Sequence, residues 1–271
     1  MSVKSNNKGR SKGGEADIIS SLKNIKLPFY IAWFDIRQRY RRSSLGPFWI
    51  TISTGVLIGT IGIVFGTLYK APVEIFLPYL CTGYIIWGLI SSVIVQSTDV
   101  YCQSENMVKQ LSLPLFTYIL TMIAKCLYIF AHNLVILPVV FLIVGKPINW
   151  NFLLVIPGFF LLLLNFCWMS LILSIVCTRF RDMRQIIVSG LQVFFYLTPI
   201  VWMPSLLPEK SATLIVEPNP FYHLLEIVRA PLLGLAPSAL NWCYSLVLAI
   251  LGTAIGLAFF NKYRTRIAYW L

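Results

Sequence analysis

Arg37-Gln38-Arg39-Tyr40-Arg41-Arg42-Ser43-Ser44-Leu45-Gly46-Pro47-Phe48-Trp49 decides how the rest of the chain is read. Four arginines stand against a Leu-Gly-Pro turn that opens directly into a long apolar segment. Such a cluster stops a chain at the cytoplasmic face of a bilayer, because each Arg gains from anionic headgroups and is costly to translocate. Gly46 permits a tight backbone and Pro47 suits a first helical position, so a membrane helix can begin abruptly there. The junction anchors the chain by topology alone. It also leaves guanidinium groups free to grip a phosphate.

Composition extends this outward. Hydrophobic residues make up 58% of 271 positions and charged residues 12%, and the mean hydropathy is +0.76. These values belong to a polytopic membrane protein with an all-α fold. Residues 1–21 are rich in Ser, Gly, Asn and Lys without an apolar h-region, so they read as a disordered cytoplasmic tail rather than a signal peptide. The transmembrane domain is then 22–271. Six cysteines (Cys81, Cys102, Cys126, Cys167, Cys177, Cys243) show no Cys-x-x-Cys pair, and there are two histidines. No metal site or cofactor is expected from that spacing.

Crossing about 30 Å of hydrocarbon takes roughly 20 apolar residues. Six spans are expected, near 48–69, 75–97, 123–144, 152–176, 185–202 and 239–260. That topology puts seventeen Lys/Arg on the side of the termini and four (Lys70, Lys146, Lys210, Arg229) on the other. Both termini are therefore placed in the cytoplasm. Counting back from Gly145 puts Lys125 at the cytoplasmic interface and His132 and Asn133 inside the bilayer, where polar side chains bond to neighbouring helices. Before the first span, Leu22, Ile25, Phe29, Trp33, Ile36 and Tyr40 fall at helical spacing, which predicts an amphipathic helix lying in the interface. It serves as an anchor or as a lateral contact for a cytoplasmic partner. Residues 203–236 carry Pro204, Pro208, Pro218, Pro220 and Pro231 among apolar runs too short to span, which predicts re-entrant extracytoplasmic helices between spans 5 and 6.

At these residues the chain resembles the permease subunits of ABC exporters for O-antigen, capsule and teichoic-acid polysaccharides. The resemblance rests on Arg37 to Trp49, on Glu105-Asn106 through Leu113-Pro114, and on Thr198-Pro199 with Asn219-Pro220 and Arg229. It runs over most of the chain from about residue 28. It implies a homodimer of six-span subunits in a bacterial inner membrane, bound to two copies of a cytoplasmic ATP-binding cassette subunit. It also implies a polysaccharide channel along the dimer axis and a coupling helix on the cytoplasmic side. The cargo it implies is a polyprenyl-pyrophosphate-linked O-antigen, with capsule or teichoic acid as the alternative.

The chain's own chemistry agrees in what it lacks. No Gly-x-x-x-x-Gly-Lys-Ser/Thr string occurs, so nucleotide hydrolysis falls to another chain. No catalytic residue is assigned and no nucleic acid is expected. A membrane-embedded glycan-transferring enzyme would want a positioned carboxylate or His, whereas the carboxylates here are dispersed or stand singly beside arginines. A permease for small lipophilic compounds is the other rival. Against it stand 39 aromatics, whose flat faces and polar edges suit sliding pyranose rings.

Three groups of site residues follow. Arg37, Arg39, Arg41 and Arg42, with Leu45 and Gly46, are assigned to a lipid-pyrophosphate entrance. In the loop 99–112, Val100, Met107, Val108 and Leu111 are expected on one face of a short helix, and Glu105, Asn106, Met107 and Val108 are assigned to contact with the ATPase. Phe194, Phe195 and Tyr196 spread over about 200° of helix and cannot all face lipid. With Tyr84 and Trp87 they are assigned to an aromatic ring closing the channel.

Overall fold

The computed structural model describes residues 13–41, 46, 48–147, 149–206 and 208–271. Among them every regular element is a helix. In order these are α1 (Gly14–Lys23), α2 (Lys26–Arg39), α3 (Phe48–Leu68), α4 (Val73–Ser97), α5 (Val100–Gln103), α6 (Glu105–Gln110), α7 (Leu115–Leu134), α8 (Ile136–Val144), α9 (Val155–Arg179), α10 (Met183–Leu197), α11 (Glu209–Val216), α12 (Pro220–Leu232) and α13 (Ala239–Trp270). Among the described residues, five helical stretches are long and apolar enough to cross a membrane: Phe48–Leu68, Val73–Ser97, Leu115–Val144, Trp150–Arg179 and Ala239–Trp270.

Proline chemistry accounts for where the helices depart from expectation. The stretch 22–40 is two helices, because Pro28 has no N–H to continue α1 and is tolerated in the first turn of α2. The expected single stripe is therefore split. Leu22, Ile25, Phe29 and Trp33 stay 38–48% exposed, while Ile36 is buried with Ala32 against the bundle. Part of the stretch drawn as a disordered tail is helical too, since α1 covers 14–23. The third membrane-length stretch begins at Leu115 rather than 123 and is broken at Val135, three residues before Pro138. Gly145, at φ 69°, closes it as a left-handed cap.

The expected span 185–202 overshoots. α10 stops at Leu197, and Thr198, ahead of Pro199, turns to extended backbone (φ −85°, ψ 131°). Fifteen residues reach only about 22 Å. The last helix, by contrast, does not stop at 260 but runs to Trp270 through the basic C-terminus.

α4 is the axis of the packing. It touches α3, α7, α8, α9, α10 and α12 and buries fourteen of its 25 residues. α9 lies along α13, where Gly252 and Gly256 leave room for Trp168. Asn165 joins the same seam, donating from Nδ2 to the Ser245 carbonyl at 3.2 Å and accepting from Trp168 Nε1 at 2.9 Å. Ser97 Oγ donates to Ser170 Oγ at 2.8 Å between α4 and α9. Such interhelical polar contacts and close backbone approaches hold helices together where the surroundings are as apolar as the side chains.

Candidate functional site: entrance groove, loop helices and aromatic seal

At the basic end of the bundle, α2 lies across α7. Phe29 and Trp33 meet the Tyr128 ring at centroid distances of 6.1 and 5.4 Å. Asp35 forms an ion pair with Lys125. Lys125 of α7 is thereby joined to α2. His132 donates from Nδ1 to the Tyr128 carbonyl at 2.7 Å and meets Phe48 edge-on at 5.6 Å, linking α7 to the start of α3.

The arginines on α2 do not act as one cluster. Arg37 and Arg41 are four positions apart and line a groove of about 720 Å³ with Trp33, Phe34, Tyr40 and Gly46. Arg39 lies some 200° around the helix. It faces a smaller cleft of about 140 Å³ with Asp35, Gln103, Met107 and Lys125. Arg42 and Leu45 lie outside the described residues. What the structure brings together is therefore an aromatic groove with two exposed guanidinium groups and, on the far side of α2, a third one beside the loop helices.

The loop between α4 and α7 is two short helices broken at Ser104, not one. The expected shared face is not present. Val100 and Val108 are buried, whereas Met107 and Leu111 are exposed at 41% and 46%. The break at Ser104 resets the helix phase, so residues before and after it do not share one face. Asn106 and Met107 face outward, and Glu105 is tied to Lys109 at 2.6 Å. That hydrogen bond and the ammonium charge hold the Glu105 carboxyl below the usual carboxylate range. Nearby, Arg184 at the start of α10 pairs with Asp99 at 2.8 Å.

Toward the other end, the five aromatics assigned from the sequence are adjacent. Phe195 meets Tyr84 at 6.4 Å, Trp87 at 6.0 Å and Tyr196 at 5.3 Å. Phe221 of α12, which sequence reasoning missed, completes the group against Phe194 (4.9 Å) and Trp87 (5.7 Å). Trp87 is buried and Tyr196 is 69% exposed, so the cluster grades from core to open surface. No local signal marks Phe221. It lies 26 residues from Phe195, and only the fold of 198–220 brings it back.

That fold is held by a polar lock. The Pro199 carbonyl accepts from Tyr79 Oη at 2.9 Å and from Arg229 Nη1 at 2.5 Å. Arg229 is buried, donates to Glu226 Oε2 from Nε (2.8 Å) and Nη2 (2.5 Å), and stacks over Tyr79 at 4.1 Å. Asn219 caps α12 by accepting from Phe221 N–H at 3.0 Å and donates to Thr198 Oγ1 at 2.9 Å. His223 donates from Nε2 to the Glu217 carbonyl at 2.7 Å and is stacked on Tyr244. Irregular backbone inside a membrane protein needs such partners, because lipid supplies none. Tyr79 and Glu226 were invisible as a pair before the fold was known.

Comparison with known proteins agrees with this architecture. Residues 28–233 match the ABC-2 type transporter family. An O-antigen export system permease protein of Klebsiella pneumoniae is 25% identical over 240 residues, covering 86% of this chain and 90% of the relative. One from Myxococcus xanthus is 21% identical, covering 72% and 76%. A polysialic acid transport protein of Escherichia coli is 22% identical, covering 86% and 90%. With most of its length inside the match and its long apolar helices in order, this chain belongs to the ABC-2 type transporter family.

Proposed function

We propose that this protein is the membrane subunit of an ATP-driven polysaccharide exporter in a bacterial inner membrane, moving a polyprenyl-pyrophosphate-linked chain of the O-antigen type. Two copies form the channel and two cytoplasmic ATP-binding cassette subunits drive it. Each copy crosses six times, with α10 and the residues after it as the fifth crossing, α11 and α12 re-entrant, and both termini cytoplasmic. The observation that carries this reading is the aromatic cluster at the end of α10, backed by the Arg229 lock. Packed faces exclude water and ions, yet the rings can rotate aside and stack on a sugar chain. The names of the relatives support a glycan cargo. The polysialic acid relative favours capsule export as the second reading.

The experiment is substitution of Phe195 and Tyr196 by Ala. The variant is expected to insert normally while making vesicles leak small ions, and to export more slowly. A tight membrane with intact export would remove these rings from the gate.

The groove between Trp33 and Gly46 suits the lipid pyrophosphate, a bidentate acceptor that planar guanidinium matches better than ammonium. Replacing Arg37 and Arg41 by Lys keeps the positive charge and hence the topology. Export is expected to fall about tenfold, a loss of about 1.4 kcal/mol in recognition. Normal export by an assembled variant would leave these arginines with topology alone.

A further inference from the structure

Helices α1 and α13 lie outside the residues that match the family, yet they meet over the start of α7. Pro114 precedes α7 and offers no side chain to its orphan N–H groups, and α7 has no cap bond of its own. The cap comes from 98 residues away. Asp17 Oδ2 accepts from Leu115 N–H at 3.1 Å and Oδ1 from Phe116 N–H at 3.0 Å. A carboxylate there also meets the positive end of the α7 dipole. Ser21 Oγ lies 3.0 Å from Thr117 Oγ1 in a buried contact one turn further on.

The other side of α1 grips α13. Gly14 N–H donates to Asn261 Oδ1 at 2.6 Å, and Arg264 donates to the Gly13 carbonyl at 3.4 Å while standing 3.9 Å from Asp17 Oδ2. Asp17 and Arg264 are both nearly buried, at 8% and 10% side-chain exposure. α7 begins only four residues after α6 ends, and α6 itself touches α13. One short helix thus fastens the downstream end of the loop helices to the end of the chain.

We propose that Asp17 is a positioning residue for energy transmission: it holds the start of α7 against α13, so that a push on α5–α6 moves α7 instead of bending the 111–114 connection. This rests on the reading that the α5–α6 loop receives the ATPase. A brace with play in it loses motion without losing hydrolysis. Its signature is therefore a changed ratio of sugar exported to ATP hydrolysed, which a purely structural cap would not alter in the complexes that do assemble.

The test uses the full chain with its partner ATPase in reconstituted vesicles, reading that ratio alongside hydrogen exchange at the Leu115 and Phe116 amides. Asp17→Asn is nearly isosteric and is expected to speed that exchange about fivefold through the weakened cap. It is expected to lower sugar exported per ATP about threefold or more, with the complex intact. Met107→Ala, which alters the loop itself, serves as the comparator. Faster exchange with an unchanged ratio in Asp17→Asn, while Met107→Ala lowers the ratio, rejects the brace and leaves the loop reading standing. An unchanged ratio in both variants rejects the loop reading and the brace with it. Unchanged exchange rejects the cap. If Asp17→Asn does not accumulate, Asn261→Ala removes only the acceptor of Gly14 N–H, and the same two readouts decide.

Discussion

Arg229→Met is expected to unfasten the segment between α10 and α13. The change leaves the Glu226 carboxylate, 16% exposed, without its partner, and takes one donor from the Pro199 carbonyl. Breaking a buried pair by removing one member costs about 3–5 kcal/mol, because the remaining charge stays desolvated. The melting midpoint of the purified protein is expected to fall by about 10 °C. Removing both charges should recover most of that loss, since Arg229→Met with Glu226→Leu leaves no orphan ion. A single variant as stable as the wild type would mean that Tyr79 and backbone packing hold Pro199 without the guanidinium. A double variant no better than the single would assign the loss to shape and not charge.

Gly252→Leu is the second large expected effect. A Cβ on Gly252 would stand 2.3 Å from the Trp168 ring, and that ring is held by its bond to Asn165. Either the ring swings away and gives up that bond, or α9 and α13 separate. Overpacking of this kind costs about 1–3 kcal/mol, with the upper end expected where backbones are in contact. The variant is expected to reach the membrane at several-fold lower level and to melt earlier. Two controls make the mechanism specific. At Gly256 an added Cβ meets Trp168 at 3.4 Å, ordinary contact, so Gly256→Ala should be tolerated. Trp168→Ala combined with Gly252→Leu should regain stability lost by Gly252→Leu alone. Equal damage from Gly252→Leu and Gly256→Ala would point to the close approach of α9 and α13 along the whole seam instead of the ring.

Long apolar runs were legible because hydrocarbon leaves the backbone no other partners, so each run of adequate length becomes a helix. The stretches near 48–69, 75–97 and 152–176 agree with the helices to within a few residues. Boundaries set by proline were legible only partly. Pro199 and Pro138 are visible in the chain, but whether a proline ends a helix, kinks it or is bridged depends on what stands beside it. Phe194, Phe195 and Tyr196 are marked by their spread around one helix, and Tyr84 and Trp87 of the second span, grouped with them, lie beside Phe195. Phe221 was not foreseeable, since its contacts depend on a turn built by Asn219, Thr198 and Arg229.

The same division applies to the basic end. The count of Lys and Arg speaks for topology because charge cost in a bilayer is a property of each residue, independent of its neighbours. The direction of each arginine is not. Arg37 and Arg41 share one groove and Arg39 another, a consequence of 3.6 residues per turn once the face that α2 lays on α7 is known. Composition and hydropathy by themselves determined a polytopic all-α membrane chain and the order of its long helices. Tertiary structure alone decided that Asp17, in a stretch with the composition of a tail, caps a helix 98 residues away, and that Glu226 and Tyr79 hold Arg229. Burial of apolar surface is additive along the chain and can be read residue by residue. The pairing of a buried polar group exists only when the fold has brought its partner to within hydrogen-bonding distance.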